Sequence, residues 1–72
     1  MTIRVGEVLY EATKQGVVKW VVIDIYIEDS ASPKTVVEVW SSKFGRIAKS
    51  PETVCCWHRS RVYARKCMEE LL

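Results

Sequence analysis

The sequence has 72 residues, 49% of them hydrophobic, and a formal net charge of +2. This length allows a single domain, residues 1–72, and the apolar content excludes a disordered chain. A core this small is only marginally stable alone, and three cysteines are too few for the disulfide framework of a secreted mini-protein.

No segment predicts export or membrane insertion. The amino-terminal residues lack the basic region and the continuous apolar region of a secretory signal. The most apolar run, Val17–Ile27, is too short to span a bilayer and contains Lys19 and Asp24. We therefore expect a cytoplasmic protein that has no membrane partner.

The first half of the chain predicts two strands joined by a turn. Thr2–Thr13 has the pattern of a strand broken near Gly6, and Lys14–Gly16 has that of a turn. Val17–Glu28 is rich in β-branched and aromatic residues, which predicts the central strand of a small sheet. Both of its faces are apolar, so either the strand is covered on both sides or a β-bulge near Asp24 exchanges the faces. We expect the bulge, because in a small barrel one strand commonly bends at a corner and contributes to both halves.

The second half predicts a hairpin, a less regular segment and a short strand. Asp29–Pro33 is the polar hairpin connection, and Lys34–Ser41 returns as a strand. Phe44 and Gly45 predict a turn or a short strand, and Thr53–His58 predicts a strand after a further turn. The alternation of the returning strand separates two faces, Val37, Val39 and Ser41 on one and Val36, Glu38 and Trp40 on the other.

Ser60–Leu72 predicts the one helix of the domain. Ser60 is a suitable N-cap, because its hydroxyl can accept a hydrogen bond from a first-turn amide. An apolar stripe recurs at helical spacing and needs a sheet to cover, so we expect the helix to close the open end of a curled sheet. The residues of the stripe are Ala64, Cys67, Met68 and Leu71.

Two stretches resemble a group of small bacterial and phage proteins, which often begin with G-D-x-V-Y and end with S/T-R-E-E-A-x-x-A-L-x-x-L. Gly6–Tyr10 is similar to the opening, and Ser60–Leu71 is similar to the ending. The resemblance implies a mainly β (α+β) fold, a small SH3-like barrel of about five antiparallel strands within residues 2–58 and one helix over 60–72. It implies no common activity. Val62 and Tyr63 replace the usual acidic pair, which predicts a wider buried face or a contact with a partner.

Three cysteines and the single histidine raise the question of a metal site or a catalytic thiol. Cys55, Cys56, His58 and Cys67 are of the residue types that bind zinc, but they include no C-x-x-C pair. Cysteine–histidine catalysis also needs an orienting group in a cleft, and no glycine-rich oxyanion loop is present. Free cysteines more often behave as small buried hydrophobic residues. We therefore predict no catalytic residue, no metal, no cofactor and no small-molecule substrate.

The uneven charge distribution suggests one functional hypothesis. Segment 41–66 contains seven basic residues, and Glu52 is its one acidic residue. Basic surfaces with aromatic rings for base stacking are typical of nucleic-acid binding, and Trp40, Phe44 or Trp57 can provide the ring. The basic candidates are Lys43, Arg46, Lys49, Arg59, Arg61, Arg65 and Lys66.

The aromatic content suggests the hypothesis that we prefer. A barrel of this size does not enclose three tryptophans completely, so we expect at least one of them to be partly exposed. Exposed tryptophan and tyrosine beside arginine are typical of interface hot spots. We predict a non-catalytic interaction module that binds a protein partner or forms a homodimer, with nucleic-acid binding as the alternative. The candidate contact residues are Trp20, Trp40, Trp57, Val62 and Tyr63.

Overall fold

The chain folds into four antiparallel strands and two short helices. The structure is a computed structural model that describes residues 3–29 and 31–71, the last of them for its backbone only. The elements are β1 (Val8–Thr13), β2 (Gly16–Glu28), β3 (Lys34–Ser41), β4 (Gly45–Lys49), α1 (Pro51–Cys55) and α2 (Arg61–Leu71). The strands form an open sheet in the order β1-β2-β3-β4. The prediction of a mainly β, α+β fold is therefore confirmed.

The predicted break near Gly6 marks the approach to β1. Gly6 has a φ of +92°, a left-handed conformation that glycine adopts without the strain of a Cβ atom. Its amide donates to the Val22 carbonyl at 2.7 Å, and the Val22 amide donates to the Glu7 carbonyl at 2.9 Å. The chain thus contacts β2 at the break and at the residue that follows it. Thr2, the predicted start of this strand, lies outside the described residues.

β2 contains the predicted bulge. Its register with β3 shifts between Val22 and Asp24, so that Ile23 is the extra residue. Before the shift Trp20 and Val22 are buried, and after it Ile25 is the residue that packs against the core. The bulge therefore exchanges the two faces of the strand, as its two-sided apolar pattern predicts.

The core covers one face of the sheet, and β3 shows the predicted alternation. Val37, Val39 and Ser41 are buried, whereas Trp40 on the opposite face is 45% exposed. Ile27, near the end of the long β2, is 69% exposed, so the tip of the β2–β3 hairpin extends beyond the core. The buried hydrophobic cluster consists of Leu9, Val18, Trp20, Val22, Val37, Val39, Val54 and Trp57.

The predicted strand over Thr53–His58 is wrong for its first residues, which belong to α1. The Ser50 side chain caps this helix by accepting a hydrogen bond from the Thr53 amide at 3.3 Å. Pro51 occupies the start of the helix, where a missing amide costs no helical hydrogen bond. These start signals outweigh the β propensity of the segment, and Val54 turns into the core.

A trace of the predicted fifth strand remains after α1. His58 forms an isolated antiparallel bridge with Tyr10 of β1. The Tyr10 amide donates to the His58 carbonyl at 2.7 Å, and the His58 amide donates to the Tyr10 carbonyl at 2.9 Å. Because β1 pairs with β2 along its other edge, this bridge places residue 58 on the edge of β1 that faces away from the sheet.

α2 packs against β1 and β2. The Ser60 carbonyl accepts a hydrogen bond from the Ala64 amide at 3.1 Å. Ala64 is completely buried and Cys67 and Met68 are half-buried, which confirms three members of the predicted stripe. The side chain of Leu71, the fourth member, lies outside the description. In the described part of the chain, no helix is long and apolar enough to cross a membrane.

Candidate binding surfaces

Two of the three tryptophans are core residues. Trp20 is 2% exposed and Trp57 is 7% exposed, and their rings stack with centroids 5.3 Å apart. Phe44 also stacks on Trp20, with centroids 5.9 Å apart. The Trp20 Nε1 group donates to the Glu11 carboxylate at 3.0 Å, which satisfies its only polar atom. Trp20 and Trp57 therefore pack inside the domain rather than on a surface available to a partner.

Trp40 is the tryptophan that the fold leaves partly exposed, at 45%. It lies on the face of β3 opposite the core, between Val21 on β2 and Arg46 on β4 in the register of the sheet. The prediction that at least one tryptophan is partly exposed is confirmed.

A polar network fixes the side chains around Trp40. Glu38 accepts a hydrogen bond from the Tyr26 hydroxyl at 3.0 Å and an ion-paired hydrogen bond from the Arg46 guanidinium. The bonds from Arg46 and Tyr26 hold the pKa of Glu38 below its usual range, and the bond to Glu38 raises the pKa of Tyr26. We call Tyr26, Glu38, Trp40 and Arg46 together the Trp40 surface.

Val62 and Tyr63 form a separate exposed pair on α2. They are 68% and 64% exposed, so they do not widen the buried face of the helix. Unlike Tyr26, Tyr63 has no hydrogen bond or ring contact within the described part of the chain. Both side chains are available for a contact, but in the described residues no hydrogen bond holds the Tyr63 hydroxyl in place before binding.

The basic candidates fall into different environments. Arg46 belongs to the Trp40 surface, and Arg59 Nε lies 2.8 Å from a carboxylate oxygen of Glu7. The hydrogen bond from Arg59 holds the pKa of Glu7 below its usual range. Arg65 and Lys66 are exposed on α2. The candidates that remain for a basic surface without acidic partners are Lys43, Lys49 and Arg61.

Lys43 and Arg61 line a common cavity of about 270 Å³. Lys19 of β2 lines it too, although it lies outside the basic segment 41–66 and is not among the predicted basic candidates. No carboxylate of the described chain lines this cavity, which we call the basic cavity. Its polar lining is completed by Thr13, Gln15, Ser41 and Ser42.

A neighbouring concavity of about 490 Å³ brings Lys43 together with Lys49 and Phe44. Phe44 is 52% exposed, and the Lys43 ammonium lies 5.3 Å from the centroid of its ring. Glu11 lines the same concavity, so its charge is mixed. The ring and the two lysines nevertheless form the combination that the nucleic-acid hypothesis requires.

The cysteines occupy a third region. Cys56, His58 and Cys67 line one depression, but in the described chain no group of three or more histidine, cysteine and acidic residues can hold a metal ion. The Cys56 thiol donates to the Glu52 carbonyl at 3.3 Å. The expectation of buried thiols is wrong for Cys55 and Cys56, which are exposed. The residue that α1 buries in the core is Val54.

Comparison with models of known families, with curated proteins and with solved structures found no match. The resemblance to small SH3-like proteins of bacteria and phages stays a prediction.

Proposed function

We propose that this protein is a non-catalytic interaction module that binds a protein partner through the Trp40 surface. The observation that carries this proposal is the 45% exposure of Trp40 on the uncovered face of β3. Tryptophan, tyrosine and arginine are the residues that contribute most often to interface hot spots, and all three types occur here.

The Trp40 surface is arranged before a partner arrives. Glu38 holds both the Tyr26 hydroxyl and the Arg46 guanidinium across three adjacent strands. Immobilising a flexible side chain on binding costs about 0.5–1.5 kcal/mol, so residues that are already held lose less of their binding energy. The hydrogen bonds that hold Tyr26 and Arg46 before binding distinguish the Trp40 surface from the exposed pair Val62 and Tyr63.

Site-specific photocrosslinking in an extract of the native cell tests the proposal. A benzophenone amino acid replaces Trp40 in one variant and Lys14, an exposed turn residue, in the control. We expect one dominant adduct from position 40 and none from position 14. The adduct mass shows whether the partner is another protein or a second copy of the chain. No adduct, or the same adducts from both positions, would remove the support for this surface.

Nucleic-acid binding is the second candidate, and the exposed ring of Phe44 in a concavity that Lys43 and Lys49 also line favours it. Bases stack on such rings while lysines neutralise the backbone, and each stacked base is worth about 1–3 kcal/mol. A single-stranded oligonucleotide should be retarded at low salt by the wild-type protein, and about tenfold less tightly bound by the Phe44→Ala variant. An absence of retardation at low salt would exclude this candidate.

We also infer an SH3-like barrel in a cytoplasmic protein of a bacterium or phage. The bridge between His58 and Tyr10 supports the barrel, because it brings a fifth segment to the outer edge of β1. Hydrogen exchange of the Ala12 amide offers a test, because it points to the same outer edge of β1 as the bonded Tyr10 amide. A closed barrel pairs this whole edge and slows its exchange to the rate of the core, whereas an isolated bridge at Tyr10 lets it exchange quickly.

A further inference from the structure

We infer that the basic cavity binds a phosphate group. Lys19 lies on β2, Lys43 lies in the turn between β3 and β4, and Arg61 begins α2. Basic residues from three elements that are distant in sequence thus line one cavity of about 270 Å³. A cavity of this size admits a phosphate group.

The cations of this cavity lack acidic partners. Ion pairs in the described chain are formed by Arg46 and Arg59, and both lie outside the cavity. Lys19, Lys43 and Arg61 have no carboxylate within ion-pair distance in the described residues. Like charges on the lining of one cavity disfavour each other, and a bound anion offsets that cost.

Arg61 is placed where an anion is favoured and a cation is not. The first turn of a helix carries partial positive charge, and that of α2 contains no acidic residue. The Arg61 guanidinium carbon lies 5.5 Å from the centroid of the Tyr10 ring, so an aromatic ring rather than a carboxylate supports it. Its forked donors match the oxygens of a phosphate.

The uncharged lining leaves hydrogen-bond donors for the ligand. Ser41 Oγ accepts a turn amide at 2.8 Å, and Thr13 Oγ1 donates to a backbone carbonyl at 2.6 Å. Ser42 and Gln15 have no hydrogen bond from their side chains within the described part of the chain. Their hydroxyl and amide groups can complete the coordination of phosphate oxygens beside the three cations.

This inference does not rest on the Trp40 surface, and it holds whether the phosphate is free or part of a larger molecule.

The test is a titration of the full chain with inorganic phosphate at low ionic strength, followed through amide signals in ¹H–¹⁵N spectra. We expect the largest changes at Gln15, Ser42, Lys43 and Arg61. Lys43→Gln and Arg61→Gln should each weaken binding about tenfold, because each removes a charge-assisted hydrogen bond.

Two matched variants remove the same charge elsewhere. Arg65→Gln on α2 and Lys34→Gln on β3 change exposed residues outside the cavity, so they should alter the affinity by about twofold at most. Trp40→Ala should leave phosphate binding unchanged. Unchanged spectra on addition of phosphate, or equal losses in the cavity variants and the matched variants, would overturn the inference.

A second arm identifies the source of the phosphate. A short single-stranded oligonucleotide is added to the phosphate-bound protein in place of further phosphate. Displacement that Arg61→Gln weakens assigns the cavity to nucleic-acid backbone, because Arg61, unlike Lys43, does not line the concavity of Phe44. Phosphate binding without displacement assigns it to free phosphate or a phosphorylated small molecule, and both outcomes support a phosphate site. Oligonucleotide binding that ignores both cavity variants, with no binding of inorganic phosphate, contradicts it.

Discussion

Trp20 and Trp40 lie on neighbouring strands but on opposite faces of the sheet. Trp20 is enclosed by the rings of Trp57 and Phe44, and its Nε1 group has a hydrogen-bond partner. Trp40 lies across from Arg46 and retains nearly half of its accessible surface. One residue type therefore supports the core in one place and leaves an apolar contact surface in the other.

This difference predicts unequal effects of truncation. Trp20→Ala should lower the free energy of unfolding by about 3–5 kcal/mol, because it removes a large buried ring and leaves a cavity. Trp40→Ala should lower it by less, about 1–2 kcal/mol, since nearly half of the side chain is in water. Urea unfolding followed by circular dichroism measures both variants. Equal losses would show that Trp40 also belongs to the core.

At the scale of elements, Glu38 links three strands through the bonds from Tyr26 and Arg46. The pKa of Glu38 is lowered in the folded protein, whereas in the unfolded chain it is about 4.5. Its ionised form therefore contributes stability above that pH, and the contribution disappears as the pH falls through the folded pKa. The free energy of unfolding of the native protein should therefore decrease as the pH falls from the unfolded pKa of Glu38 through its folded pKa.

The Glu38→Gln variant should lose less stability on acidification, because the titrating group is gone. Glu7, whose pKa is also lowered, remains in the variant and preserves part of the effect. Thermal unfolding between neutral pH and about pH 3 measures the two slopes. Identical slopes in the native protein and the variant would show that the network does not couple to folding.

Periodicity predicted β2 and β3 closely, because burial of one face of a strand places apolar residues at alternate positions. The bulge at Asp24 was predictable for the same reason: a local change of face leaves apolar residues on both parities of β2. Periodicity did not identify β4, which was expected only as a turn or short strand at Phe44 and Gly45. α1 was missed because Thr53 and Val54 favour strands. The signal that identifies it, a capping serine followed by proline at positions 50 and 51, was present in the sequence.

The sites were less predictable than the elements. The exposure of one tryptophan followed from the size of the chain, but its identity depends on which face of β3 the core covers. The basic cavity combines Lys19, Lys43 and Arg61 from three separate elements, and only the folded arrangement brings them together. Segment 41–66 alone also contains Arg46 and Arg59, which the fold pairs with glutamates.

At the scale of the whole molecule, the domain is elongated, with extents of 40 × 21 × 20 Å. The long β2–β3 hairpin and the four-strand sheet leave one face of β3 uncovered, and this face carries the Trp40 surface. The basic cavity is formed by β2, the turn after β3 and the start of α2. The two surfaces are therefore built from different residues and can be altered separately.

The most direct test of the central claim is the dissociation constant of the complex captured through position 40. Titration calorimetry should compare the wild-type protein with Trp40→Ala and with Tyr63→Ala, which truncates an exposed aromatic residue outside the Trp40 surface. We expect Trp40→Ala to weaken binding about 30-fold, the effect of a hot spot worth about 2 kcal/mol, and Tyr63→Ala to change it by about threefold at most. Equal affinity of the wild-type and Trp40→Ala proteins would contradict the claim that the Trp40 surface binds the partner.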